Sequence, residues 1–328
     1  MSNKHIVKNF YRALTKSDST CNINEALSYL DKDVLWRVAH PINDLKGHEE
    51  FLAYYWKPIK TALPDIEYKP FIMLEGDYQG QQWVNSTGYL IGTFEKPLFD
   101  IPPTGKVLYL RYGELMHVVD GKIVECYIIP DFIDAMNQAG VNPTRPCLGC
   151  SGLVMPPSTM DGLSIGNKNG EESAKSLKLV LDMLDGLMRY DGQSLLSMDQ
   201  EKFWHTDFMW YGPGGIGTTR GLDGFRKHHQ GPFLVAFPDR SVDTSISFIA
   251  EDNYVATGGW PHMSATHTGE DWIGLPASGN ELTMRVMDFW RREGELLREN
   301  WVSIDIIHIL LQMGHDVFQQ MREKISTS

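Results

Sequence analysis

The sequence is poor in cationic clusters: its 328 residues carry 30 Lys plus Arg against 42 Asp plus Glu, a net charge of −12. A chain of that sign repels phosphate backbones, and no basic run offsets it, so nucleic acid is not an expected partner. Long apolar runs are missing too. None approaches the ~18–20 residues that a bilayer span needs, so no membrane association is expected. The opening segment MSNKHIVKNFYRAL has helical apolar spacing, not the charged stub and apolar core of a secretory leader, and the expected location is cytoplasmic. Cysteine is scarce, with four residues: Cys21, Cys126, Cys147 and Cys150. Cys147-Leu-Gly-Cys150 has CxxC spacing, but no second CxxC or HxxxH follows, and the pair lies in a Pro/Gly-rich stretch. The neighbours His228 and His229 would point about 100° apart on a helix, which does not suit a shared metal. No metal and no cofactor is expected.

What the sequence does have is a repeat. An offset of 174 residues carries Asp33 to Asp207, Trp36 to Trp210, Gly47 to Gly221 and Phe51 to Phe225. The same offset carries Pro64-Asp65 to Pro238-Asp239, Gly105 to Gly279, Arg111 to Arg285, Glu125 to Glu299, Asp131 to Asp305 and Gln138 to Gln312. A register held over a hundred residues marks duplicated domains, not a solenoid of short repeats. The expected organisation is copy one at 1–140, a linker at 141–173 rich in Pro, Gly, Ser and Asn, and copy two at 174–328. Each copy orders its elements alike. A helix leads to a strand that ends in the Trp, a Gly opens a second helix closed by Pro-Asp, four strand-like runs follow, and a short helix ends the copy. Helices gathered ahead of antiparallel strands indicate an α+β fold with helices on one face of a curved sheet.

These landmarks resemble the SnoaL-like polyketide cyclase family, whose domains have the nuclear-transport-factor-type cone fold. The resemblance is carried by Trp36 and Trp210 before the Gly-led helix, by the closing Pro-Asp, and by THTGEDWIGLPASGNELTMR in copy two with its weaker echo GTFEKPLFDIPPTGKVLYLR in copy one. It ends in Glu125-Cys-Tyr127…Asp131, Glu299-Asn-Trp301…Asp305 and a closing Gln-x-Gly. The resemblance implies two tandem conical α+β barrels, each a strongly curved, mostly antiparallel sheet with N-terminal helices covering its concave face. It also implies cofactor-free acid/base chemistry, such as intramolecular aldol cyclisation of a hydrophobic, oxygenated, polyketide-like substrate. The family's pocket carboxylate carries over to Asp305 and, by repeat, to Asp131. A tandem pair would form an intramolecular pseudo-dimer, with further homo-oligomers open.

Residue by residue, strand alternation puts Glu299, Trp301, Ser303 and Asp305 on one face of 297–305, and Asn300, Val302 and Ile304 on the other. Both faces could meet a pocket; the family pattern favours the first. Asp305 could instead cap the helix that follows. An enolate formed by a carboxylate base needs donors, and His267, His262, Arg285 and Trp301 are the candidates. His262 and His267 are five apart, so a bulge is needed for both to face one pocket. Arg285 and Asp288, like Arg111 and Glu114, are three apart and face opposite ways, so one member of each pair belongs on the outer face. Trp210, Trp260 and Glu299 complete the expected substrate-binding set, and copy two, richer in His and Trp, is the expected active copy. A non-catalytic small-molecule binding protein, or an interaction module with a filled cone, are the alternatives.

Overall fold

The structure is a computed structural model in which residues 2–16, 20–164, 166, 168–270 and 272–327 are described, without the side chains of 20–22; Cys21's side chain lies outside them. The chain divides into two compact units: 1–143 with 159–165 and 317–328, and 144–158 with 166–316. The stretch 141–173 is thus shared between units, and the last helix belongs with the first unit.

In the first unit, α1 (Asn3–Thr15) and α2 (Thr20–Leu27) precede β1 (Leu30–Val38) and β2 (Asp44–Lys46). A continuous helical segment follows: α3 (Gly47–Glu50), a π-helical turn (Phe51–Trp56) and α4 (Lys57–Ala62). Then come β3 (Glu67–Tyr78), β4 (Gln81–Thr93), β5 (Val107–Val119), β6 (Lys122–Pro130) and α5 (Phe132–Gln138). Helix α1 forms because Ile6, Val7, Phe10, Tyr11 and Leu14 recur at three- and four-residue spacing, and all are buried on one face. The sheet order is β2-β1-β6-β5-β4-β3, with β1 parallel to β6 and the other pairs antiparallel.

The second unit repeats this plan. Helix α6 (Gly170–Leu187) leads through two short 3₁₀ turns to β7 (Trp204–Tyr211) and β8 (Thr219–Arg220). Helix α7 (Gly221–Phe225), a π-helical turn (Arg226–Gln230) and α8 (Gly231–Ala236) again run on from one another. β9 (Ser241–Val242), β10 (Ser247–Glu251), β11 (Tyr254–Thr266), β12 (Glu281–Glu293), β13 (Leu296–Ile304) and α9 (Ile306–Gln312) follow, and α10 (Val317–Ser326) closes the chain. The order is β10-β11-β12-β13-β7-β8, with β9 also on β11 and β13 parallel to β7. Each domain is α+β, with helices against a curved sheet that does not close on itself, so the expected barrels are open cones.

Several repeated landmarks are explained by the scaffold. Gly47 and Gly221 have φ of +69° and +64°, and a Cβ would meet the Lys32 carbonyl at 3.1 Å or the Thr206 carbonyl at 3.0 Å. Asp65 accepts from the Thr93 N–H and hydroxyl at 2.6 and 2.7 Å, and Asp239 does the same with Thr266 at 2.8 and 2.6 Å, tying helix end to strand. Gln138 bonds both backbone groups of Tyr109, and Gln312 both of Thr283. In the first unit α10 buries Val317, Phe318 and Met321, with Phe318 edge-on to Phe132, and Arg322 bonds Asp100 at 3.1 Å.

Candidate functional site

The second unit holds a partly open cavity of ≈ 390 Å³ between the concave sheet face and the helices α6 and α7–α8. Strand alternation supplies its floor: Met284, Val286, Asp288 and Trp290 from β12, and Asn300, Val302 and Ile304 from β13. Trp204 and Trp210 enter from β7, and the π-helical turn delivers His229 and Gln230 from above. That turn recurs in both units, and such widened turns re-aim side chains toward functional sites.

Asp288 is the carboxylate on the cavity floor, half-buried there. Its neighbours along β12, Val286 and Trp290, are apolar, Thr257 opposite it on β11 spends its hydroxyl on the Ser247 carbonyl, and Asn300 Nδ2 donates to Asp288 at 3.1 Å while also donating to the Phe289 carbonyl at 3.0 Å. Burial pushes its pKa up to about 7, and the Asn300 bond only partly opposes this. The part of Asp288 that stays accessible faces the cavity. His229 stacks on Trp210 with ring centroids 4.0 Å apart at 14°, and burial pulls its pKa down to about 3, so it is neutral. His262 is also shifted down by burial, against smaller upward pulls from the Thr244 backbone and Asp243. The Nδ1 atoms of both histidines have no hydrogen-bond partner among the described residues.

The expected residues separate into two groups. His262 and Trp210 line the cavity. The β11–β12 register shifts between Gly259 and Met263, which places the consecutive His262 and Met263 both toward the cavity but does not put His267 in its lining. His267 is not brought in; it is buried, bonded through Nδ1 to Ser278 at 3.1 Å and packed near Phe237. The expectation for β13 is corrected, since the face bearing Glu299, Trp301 and Asp305 is the outer one. There Trp301 Nε1 donates to the Met155 carbonyl at 2.8 Å, and Glu299 pairs with Arg291 and accepts from the Ser158 amide and hydroxyl, so the segment 144–158 covers this face. Asp305 caps α9 by accepting from the His308 N–H at 3.2 Å, and it pairs with Arg285 at 3.0 Å. Arg285 lies over the Trp260 ring at 4.4 Å, so this trio packs together away from the cavity lining. Asp131 likewise caps α5, accepting from Asp134 N–H at 3.0 Å.

Sequence reasoning passed over Asp288, Asn300 and His229. The available signal was the carboxylate repeated at Glu114 and Asp288, set in an alternation that is otherwise apolar on its face. In the first unit, Glu114 is fully buried and accepts from the Tyr11 and Tyr68 hydroxyls, both at 2.6 Å, and from the Ser86 hydroxyl. Burial raises its pKa, and these three donors oppose the rise. Tyr11 stacks on Tyr68 at 3.8 Å, and Tyr68 on Tyr112 at 5.4 Å, which packs this carboxylate in phenol rings. Cys147 and Cys150 are free thiols, and their segment pairs with Thr218 through backbone bonds of 2.8 and 2.9 Å. Among the described residues no group of three or more His, Cys, Asp or Glu is arranged to hold a metal ion, and no helix is long and apolar enough to cross a membrane.

No curated protein matches the chain in sequence. Among solved structures, it is similar to IdmH of Streptomyces antibioticus, described as a candidate polyketide cyclase, at 18% identity and a TM-score of 0.35, over 43% of this chain and 99% of that one. AclR of Streptomyces galilaeus, described as a candidate hydroxylase, aligns at 16% identity and a TM-score of 0.34, over 44% of this chain and 84% of that one. A candidate SnoaL-like polyketide cyclase from Jannaschia sp. CCS1 aligns at 15% identity and 0.34, over 41% and 89%. The family model for SnoaL-like polyketide cyclase matches twice, at residues 5–139 and 196–313, and the chain therefore belongs to the SnoaL-like polyketide cyclase family with the domain present in tandem.

Proposed function

We propose that the second unit is a cyclase- or isomerase-type enzyme that performs cofactor-free acid/base chemistry on a flat, hydrophobic, oxygenated substrate, with Asp288 as the base. The observation that carries this reading is a carboxylate set in an apolar cavity with its pKa pushed up to about 7. A general base is most effective when its pKa lies near the working pH, and desolvation is what brings a carboxylate there. The cavity's ≈ 390 Å³ falls within the ~300–1,000 Å³ usual for small-molecule sites.

In the proposed cycle Asp288 takes the proton α to a substrate carbonyl, leaving an enolate. The enolate carbon attacks a second carbonyl carbon of the same molecule, forming the ring bond. The new alkoxide receives the proton that Asp288 holds, so no electron or atom is left unbalanced. Asn300 keeps the carboxylate oriented, and neutral His229 and His262 are suited to donate to the enolate oxygen. Asp305 is removed from the base role and becomes the residue that fixes α9 to β12 through its cap and its pairing with Arg285. The test is deuterium incorporation into the methyl group of 2-acetylnaphthalene in D₂O, followed by NMR. Asp288→Asn is expected to slow the catalysed exchange by about 10²–10⁴-fold, the usual contribution of a positioned base. Glu114→Gln is expected to leave it unchanged. Equal exchange by wild type and Asp288→Asn would favour the non-catalytic binding protein.

A further inference from the structure

The cavity wall contains one arginine, Arg240, at the junction between α8 and β9. It is half-buried beside Leu187 and Met188 at the end of α6. One guanidinium nitrogen donates to the Leu187 carbonyl at 3.1 Å, and the group sits 5.9 Å from the Tyr190 ring centroid. No carboxylate of the described residues pairs with it. Asp185 also lines this part of the wall, but its carboxylate is held by Arg189. Burial pulls the Arg240 pKa down, offset only by Tyr190. A guanidinium has five donors in a planar fork that suits two oxygens of one carboxylate, and an apolar wall is a costly place to leave that fork unmatched.

The duplication gives an internal control. The repeat register that carries Pro64-Asp65 to Pro238-Asp239 carries Ile66 to Arg240. Ile66 is buried at 3% exposure in the first unit, where it completes the apolar packing after the same helix end. The fold thus accepts an aliphatic side chain here, and capping of the preceding helix does not require a cation. The arginine occurs in the unit whose cavity Asp288 lines.

Building on the reading of this cavity as the substrate site, we propose that Arg240 selects substrates bearing a carboxylate on the apolar body, gripping that group at the α6 end of the cavity while Asp288 meets the reacting carbon. Arg240 is then a specificity-determining residue, and the substrate class narrows to aromatic or polycyclic carboxylic acids with a ketone.

The probes are 2-anthracenecarboxylate and its methyl ester, which share one apolar body and differ by the charge. Binding to the full chain is read by quenching of tryptophan fluorescence at pH 7.5. Wild type is expected to hold the acid about tenfold or more tightly than the ester, the scale of a charge-assisted hydrogen bond. Arg240→Ile, the first unit's own residue, is expected to abolish the preference while leaving ester affinity unchanged, and Arg240→Lys to retain part of it. A merely structural arginine would shift both probes equally. Equal affinities in wild type, a preference that survives Arg240→Ile, or no binding of either probe would overturn the proposal. Asp288→Asn removes a carboxylate that is largely ionised at pH 7.5 from the same cavity, so it is expected to keep or increase the preference for the acid, the opposite direction to Arg240→Ile. Loss of base catalysis and loss of carboxylate selection are therefore separate outcomes: the exchange assay on 2-acetylnaphthalene, which has no carboxylate, reports only the first.

Discussion

Glu114 and Asp288 occupy the same strand position in the two copies, yet one carboxylate is sealed and the other faces a cavity. The surrounding residues account for the difference. By the 174-residue register, Tyr68 and Tyr112 of the first unit correspond to Val242 and Val286 of the second. Tyr55 corresponds to His229, and Cys126 to Asn300. The first unit therefore fills the cone with phenol rings and satisfies Glu114 with hydroxyls. The second removes two of those rings, and Val242 and Val286 line the space that results. The scaffold is common; the chemistry lies in a handful of substitutions on the concave face. A buried carboxylate given three donors is a structural group, whereas one given a single amide donor on a mostly apolar wall is poised to exchange a proton.

The largest effect should come from undoing that difference. Val242→Tyr/Val286→Tyr places the first unit's rings in the second unit's cavity. Forcing each ring into a site occupied by ligand costs about 1–3 kcal/mol, so affinity for 2-anthracenecarboxylate should fall about thirtyfold or more. The protein should remain folded, because the first unit shows that the scaffold accommodates both rings. Unchanged affinity, measured by tryptophan quenching, would mean that these positions do not set the cavity.

The same contrast shows what could be read from the sequence. The repeat, the α+β order and the family resemblance followed from landmarks whose roles are local: Gly at positive φ, Asp holding a strand, Gln bonding a strand backbone. The site was less legible because β13 is buried on both faces. Glu299, Trp301 and Asp305 form the more recognisable pattern, but they meet segment 144–158 and Arg285, not the cavity. That segment reads as linker composition; its Leu-Val-Met run points to packing on a domain, but nothing local says which sheet face it covers or that Met155 gives Trp301 its acceptor. His262 and His267 needed a bulge to share one pocket, and the bulge that exists brings in His262 with Met263 instead. Asp288 was within reach, since its three-residue spacing from Arg285 required one of the two to face inward.

A smaller effect separates cap from base. Asp305→Asn keeps a good capping side chain but loses the ion pair with Arg285. The expected cost is about 1–2 kcal/mol, below that of a fully buried pair because Arg285 remains partly solvated. Chemical denaturation should show this loss, with turnover per folded molecule unchanged. A large fall in turnover without loss of stability would return the catalytic role to the outer face of β13.

The last contrast concerns pH. Asp288 has a folded pKa of about 7, above its ordinary 3.8, so its neutral form is the one the fold favours. Its contribution to stability is therefore fully present below about pH 4 and lost as pH rises through about 7. Asp288→Asn removes the cost of burying the charge, so it should raise the melting temperature of the second unit at pH 8. The gain should shrink as pH falls toward 5. Glu114 should behave differently, because Tyr11, Tyr68 and Ser86 all donate to its carboxylate and an amide cannot accept from all three as well. Glu114→Gln should lower the melting temperature of the first unit at pH 8. Scanning calorimetry of the full chain at both pH values checks the pair, and a gain from both substitutions would remove the distinction between a sealed carboxylate and a poised one.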